Sequence, residues 1–455
     1  TANYNTSVGS HSLQDNTTGH SNTAVGYKAL ADNTTASDNT AIGYNALLVN
    51  TTGAENCAFG SYALDANTTG DDNDAFGVYT LSANTTGSKN TAFGRAALGA
   101  NTTAGNNVAV GYNAMGSNTT GTGVAVGPYA LDAQTIGKNN NAFGNNALTA
   151  LTTGSNNTAI GHKASFTITT QIDSVAVGNF ALQLATANQN VGVGVSALTA
   201  TTTGSNNVAV GLRALVSNTT GSSSVAIGQE ALKAATTGGS NTAVGSAAAY
   251  GITTGTSNVG KNTLYNGNAT ANTAVGHSSL GWSAGDNNTS VGCNSSENIT
   301  TGAKNTAVGK SALATLSTGN QNTCMGESAM LLATTAYDNV IIGYEAGKAL
   351  TTGNENAAVG KEALHDMTTG QGNTAIGHNA LRYATTSDWN TGCGEWAGQD
   401  ITTGANNACL GYAAGSTASP SGSITTGSNN ICLGNNSIAN LYCADTSISS
   451  SDARD

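Results

Sequence analysis

The sequence predicts an all-β protein, an elongated parallel β-roll or β-helix solenoid of about 26 turns, from three observations. The unit Asn22-Thr23-Ala24-Val25-Gly26-Tyr27-Lys28-Ala29-Leu30, closed by Asn33-Thr34-Thr35, returns as Asn39-Thr40-Ala41-Ile42-Gly43-Tyr44-Asn45-Ala46-Leu47, closed by Asn50-Thr51-Thr52. Its marker glycines, Gly9, Gly26, Gly43, Gly60, Gly77, Gly94 and Gly111, keep an unbroken period of 17. The residues ahead of each marker alternate bulky and small, which is the period of a strand.

With the marker glycine at zero, position minus one holds Val25, Ile42, Phe59, Phe76 and Phe93, and these are expected to form the core. Position minus two is Ala24, Ala41, Ala58 and Ala109. A face of alanines repeated in every turn predicts a close neighbour along the whole stack, most economically two further copies of the chain, intertwined or side by side. A single-chain triangular solenoid fits the same period. Ala and Leu at plus three and plus four, such as Ala63-Leu64 and Ala97-Leu98, predict a second strand that closes the core from the far side. Thr-Thr-Gly near plus ten makes the return turn. At minus four stands Asn22, then Asn39, Asn56, Asn73, Asn90 and Asn107, predicted to stack as a hydrogen-bonded amide ladder. Turns about 4.8 Å apart make the stack roughly 120 Å long.

The regular shaft is expected over 1–411, with an irregular region over 245–292, a last turn with an insertion over 412–440 and a junction over 441–455. Intervals from Gly245 through Gly260 and Gly276 to Gly292 run 15, 16 and 16, and the region carries Trp282.

Composition narrows the function. Charged residues are 9% of the chain and the net charge of -11 comes from scattered acids, so the clustered cations that nucleic acid demands are missing. No apolar run reaches the length of a membrane span. Seven cysteines follow neither a disulfide framework nor a metal-ligand spacing. Five of them take strand positions and read as small buried hydrophobes, with Cys409 and Cys432 in matching register. The six histidines stand in turns too far apart to share a metal, and no cofactor is implied. Asp65, Asp71, Asp72 and Asp74 form a local acidic knot, read as a solvated turn. No nucleophile with its base, paired carboxylates or phosphate loop is found, so no catalytic residue is assigned. Asn-Thr-Thr matches the glycosylation acceptor pattern at Asn33, Asn50 and Asn67. The same position takes Leu151, Ile168 or Leu350 elsewhere, which favours packing over a glycan stalk. Tyr27, Tyr44 and Tyr112 follow marker glycines, where rings can stack on sugars or seal a seam between chains.

The Asn-Thr-Ala-Val-Gly unit resembles the head repeats of trimeric autotransporter adhesins, which build trimeric left-handed β-rolls. The present repeat is longer. Near the end, Asn440-Leu441-Tyr442-Cys443-Ala444-Asp445-Thr446 and Ser450-Ser451-Asp452-Ala453-Arg454-Asp455 resemble the junction of phage tail fibres with an endosialidase-type intramolecular chaperone, the peptidase S74 family. That resemblance implies self-cleavage between Ser451 and Asp452 by a chaperone beyond this sequence. The expectation is therefore a non-catalytic homotrimeric fibre shaft of a virion, outside the cell, that meets a host surface receptor such as a glycan. A bacterial surface adhesin is the alternative, and a polysaccharide depolymerase would want carboxylate pairs that these turns do not supply.

Overall fold

The computed structural model describes residues 2–252, 257–259, 263–264, 271–283, 285–420 and 422–440, so the Ser451–Asp452 junction and Cys443 lie outside the described residues. It is a parallel β-solenoid, one short strand per turn, with no helix among the described residues. Two compact units divide it, Thr1–Lys261 and Asn262–Asp455, and the division falls inside the region where the repeat loses its period. The first unit carries strands β1 (Thr6–Val8) to β16 (Ser257–Val259), and the second β17 (Thr273–Val275) to β26 (Ile431–Leu433). Within each unit successive strands pair in register, as in Thr23↔Thr40, Ala24↔Ala41 and Val25↔Ile42.

The strands turn the opposite way from the expectation. Ala24, Ala41 and Ala58 at minus two are fully buried inside their own chain. Val25, Ile42, Phe59, Phe76 and Phe93, expected in the core, point outward, and Phe93 is 58% exposed. Size explains the inversion. Each turn closes over the plus-four leucine, fully buried in Leu30, Leu47 and Leu64, which leaves room for little more than a methyl opposite it. Where the minus-two residue is Gly192 or Gly392, even an added Cβ would sit 3.3 Å or 2.9 Å from the Cγ of Leu182 or Leu381. The alanine face is therefore the core and needs no second chain.

The expected second strand is a corner instead. Lys28 and Leu30 at plus two and plus four have φ of 54° and 53°, and the alternation recurs in most turns. Left-handed backbone is costly for branched side chains, which accounts for a regularity in the sequence. Through Gly415 plus four takes Leu, Met, Ser, Ala or Gly and never Val, Ile or Thr; after the last marker, Gly434, Ile438 takes the position, and its backbone is not left-handed. Where plus four is small, at Ser165, Ala249, Ser296, Gly347, Gly398 and Gly415, the same turn supplies Ile168, Ile252, Ile299, Leu350, Ile401 or Ile424 further on. All six are buried, so where the first corner is small a large side chain from further along the turn takes up the space.

The amide ladder is present as expected. Asn22, Asn39, Asn73, Asn90 and Asn107 are fully buried, and Asn56 nearly so. The backbone N–H of Asn39 donates to Asn22 Oδ1 at 3.0 Å, and Asn56 Nδ2 donates to Asn39 Oδ1 at 3.2 Å. A second ladder runs through the Asn-Thr-Thr positions. Asn67 Nδ2 donates to Asn50 Oδ1, and Asn84 Nδ2 to Asn67 Oδ1, each at 2.9 Å. These amides are fully buried, which places them beyond a glycan's reach in the folded chain. The marker glycines stack backbone to backbone: a Cβ on Gly60, at φ +138°, would lie 2.3 Å from the carbonyl oxygen of Gly77.

Candidate interaction surface

The strand geometry leaves two rows of side chains pointing out of every turn. The minus-one row is apolar throughout, running from Val8, Val25 and Ile42 through Phe143, Ile160 and Ile227 in the first unit, and from Val275 through Val359, Ile376 and Leu410 in the second. Its partner row at minus three is mostly Thr and Val, and Asp74 is the only charged residue in either. Phe59, Phe76 and Phe93 stack with centroids 5.0 Å and 5.6 Å apart. Many of these side chains remain exposed, including Phe93, Ile160, Ile227, Met325 and Ile376. Within each unit this apolar strip is a candidate interaction face.

The tyrosines lie on the opposite side of the marker glycine, and their geometry argues against sugar stacking. Tyr27 and Tyr44 stack with centroids 5.3 Å apart at 19°, so each ring covers a face of the other. Tyr62 and Tyr79 continue the series at 5.0 Å and 9°. Tyr112 has the Arg95 guanidinium over its ring at 6.0 Å and Tyr129 edge-on. Burial, then the neighbouring Tyr44, holds the Tyr62 phenol above its ordinary range. These rings serve one another, turn upon turn.

Charge is sparse, and part of it is paired between or within turns. Asp71 accepts the backbone N–H of Ala54 at 2.8 Å, a bridge between turns that Ser88 repeats for Asp71 itself. Sequence reasoning missed Glu55, which joins the acidic knot from the preceding turn: its hydrogen bond with Asp72 and the Asp72 charge push its carboxyl above the usual range. In the second unit His365 lies between Glu345 at 3.4 Å and Asp366 at 2.5 Å, while Lys348 pairs with Glu345 at 2.9 Å. Glu362 and Arg382 join a similar pair at 2.6 Å. Among the described residues no group of three or more His, Cys, Asp or Glu is placed to hold a metal ion.

The cysteines divide by face. Cys324, Cys409 and Cys432 replace inward alanines and are buried; burial, and then Cys432 beside it, pushes the Cys409 thiol up to about 12. Cys409 and Cys432 pair in register as expected, across the insertion that separates their strands. Cys57 and Cys393, expected to be buried like the others, lie on the outward rows instead, and Cys393 is exposed. No protein-family model matches this chain, and no curated protein does.

Proposed function

We propose that this chain is a homotrimeric, non-catalytic attachment-fibre shaft of a virus, working outside the cell to hold a receptor-contacting surface at a distance. The outward apolar strip carries the reading. The sixteen strands of the first unit, at ~4.8 Å each and a strip width of ~10 Å, offer roughly 750 Å² per copy. Split between two neighbours, that leaves each seam of the first unit roughly 375 Å² per side, below the ~800 Å² per partner of a standard interface, so the trimer draws on many turns at once. A strip that is uncharged and apolar in every turn suits the same strip on another copy, because in register each residue then meets its own kind around a common axis. In this reading the seam is the face of Val25, Ile42 and Phe59, and the alanine face stays inside each copy. The resemblance to adhesin head repeats and to the tail-fibre junction at Ser451 and Asp452 points the same way. A role in reach and stiffness asks for no catalytic group.

The test is expression of the chain with its natural continuation beyond Asp455, followed by light scattering and intact-mass measurement. A species of three times 44.8 kDa, trimmed between Ser451 and Asp452, is expected. A folded monomer with no trimming would overturn both the trimer and the fibre assignment.

A further inference from the structure

The row just ahead of the ladder asparagines, at minus five, is left-handed in almost every turn, as in Asp38, Asn106, Asn156, Asn206 and Asn406. Two consecutive turns of the second unit break its polar habit. Gly372, at φ 65°, is its only glycine among the described residues, and Trp389 in the next turn is its only tryptophan. The two substitutions belong together. A Cβ on Gly372 would lie 2.6 Å from Cδ1 of Trp389, so the glycine vacates the place on which the indole rests. The ring is 59% exposed, and its N–H meets no acceptor among the described residues.

Beyond the indole, a shallow cavity of about 290 Å³ opens between this row and the outward strand row. It is lined by Trp389, Thr391, Asn406, Asn429 and Ile431, with Asn407 and Asn430 of the ladder at its floor. Asn406 Nδ2 donates to Asn429 Oδ1 at 2.7 Å, which leaves Asn406 Oδ1 as an acceptor and Asn429 Nδ2 as a donor. No lining residue is charged, and Ile431 is 77% exposed. The same groove in the first unit opens beside Asn106, Gly123 and Asn139, where Gly123 interrupts the amide ladder, but no aromatic residue lines it.

We propose that the cleft at Trp389 binds a neutral saccharide. The weakly positive C–H face of a pyranose ring suits the electron-rich indole face, and vicinal hydroxyls, each donor and acceptor, suit paired amides and a free indole N–H. The absence of charge selects against uronic and sialic acids, which would want a cation. The inference rests on the attachment reading for its biological sense and places one receptor contact within it.

The experiment uses the full chain with Trp282→Phe and Trp396→Phe, so that Trp389 is the sole tryptophan. Its fluorescence is titrated with maltohexaose, mannohexaose, xylohexaose and, as the acidic probe, hexagalacturonate. A saturable change with a neutral probe is expected, unaltered between about 0.05 and about 0.5 M salt. Retention of the wild-type chain on the matching immobilised glycan should fall about tenfold or more in affinity with Trp389→Asn or Gly372→Asn. Asn is the usual residue of this row and adopts its left-handed backbone, so both variants keep the fold. No response to any neutral probe, or a salt-sensitive response to the acidic probe alone, overturns the proposal. Saccharide retention that survives Trp389→Asn would also overturn it while leaving the attachment reading intact. A Trp389→Asn chain whose native mass changes while retention does not would make Trp389 a seam residue instead.

Discussion

Turns of the first unit from Gly26 to Gly111 and turns of the second from Gly343 to Gly394 share one backbone plan but fill the same interior corner with opposite chemistry. In the first run plus seven is Asn33, Asn50, Asn67, Asn84, Asn101 and Asn118; in the second it is Leu350, Met367, Ala384 and Ile401. All are buried. The side-chain tip rests on the same return-turn glycine in both: a Cβ on Gly53 would lie 2.6 Å from Asn50 Oδ1, and one on Gly353 the same distance from Leu350 Cδ1. What differs is dependence on neighbours. A leucine is satisfied by its own turn, whereas an amide needs another amide above and below. Asn218 shows the consequence, standing between Thr201 and Ala235 with its Oδ1 buried and unpaired, as the hydroxyl of Thr201 also is. The amide row is therefore a cooperative feature of runs and a burden when isolated.

Breaking the run should have the largest effect. Asn67→Ala removes the donor to Asn50 Oδ1 and the acceptor for Asn84 Nδ2, and is expected to destabilise by about 2–4 kcal/mol in chemical denaturation. The opposite sign is expected for Asn218→Leu, which removes the unpaired Oδ1 and gives the residue used at Leu151, while Gly221 O, the acceptor of Asn218 Nδ2 at 3.0 Å, keeps its bond from Asn207 Nδ2; a gain of about 1–2 kcal/mol would confirm that isolation is the fault. Leu98→Ile keeps the volume but asks a β-branched residue to hold φ 51°. It should cost about 1–2 kcal/mol although no cavity forms. If Leu98→Ile is neutral, the corner is shaped by packing alone.

The smallest effect is electrostatic. Asp65 sits half-buried beyond the Leu64 corner with Oδ1 unpaired, and burial raises its pKa above the ordinary 3.8. A carboxyl with a raised folded-state value contributes stability that is complete below the unfolded pKa and lost as pH rises through the folded one. Stability should therefore decline as pH climbs from about 4, and Asp65→Asn should flatten that decline. An unchanged pH profile in the variant would assign the slope to other acids.

Much of this fold was legible because the chain repeats itself: period, strand position, both amide-bearing positions and the return turn all follow from the marker glycines. The direction of the strand was not. A period of two separates Ala24 from Val25 without saying which is inside, and the usual preference for burying the branched residue points the wrong way. The deciding signal was Leu30, because a 17-residue turn already closed by a leucine has space only for alanine opposite it. The absence of Val and Ile at plus four from Leu13 to Gly415 likewise encoded a left-handed corner in place of the expected second strand. Of the site, the outward apolar row was present in the sequence but assigned to the core. The Trp389–Gly372 pair was invisible until the turns were stacked, since seventeen residues part them in the chain.

The central claim is that the outward minus-one row forms the seam between copies, and Cys393 tests it most directly because it is an exposed member of that row. Mild copper–phenanthroline oxidation of the assembled full chain, read on non-reducing denaturing gels, should give a covalent dimer plus residual monomer, since three thiols around an axis can join only in pairs. In a chain that already carries Cys57→Ala and Cys443→Ala, so that no other thiol of the outward rows or the C-terminal stretch can join, Cys393→Ala should abolish that dimer and Cys293→Ala should leave it intact. A dimer that persists without Cys393, or none at all while the native mass is trimeric, would place the seam on another face and contradict the account.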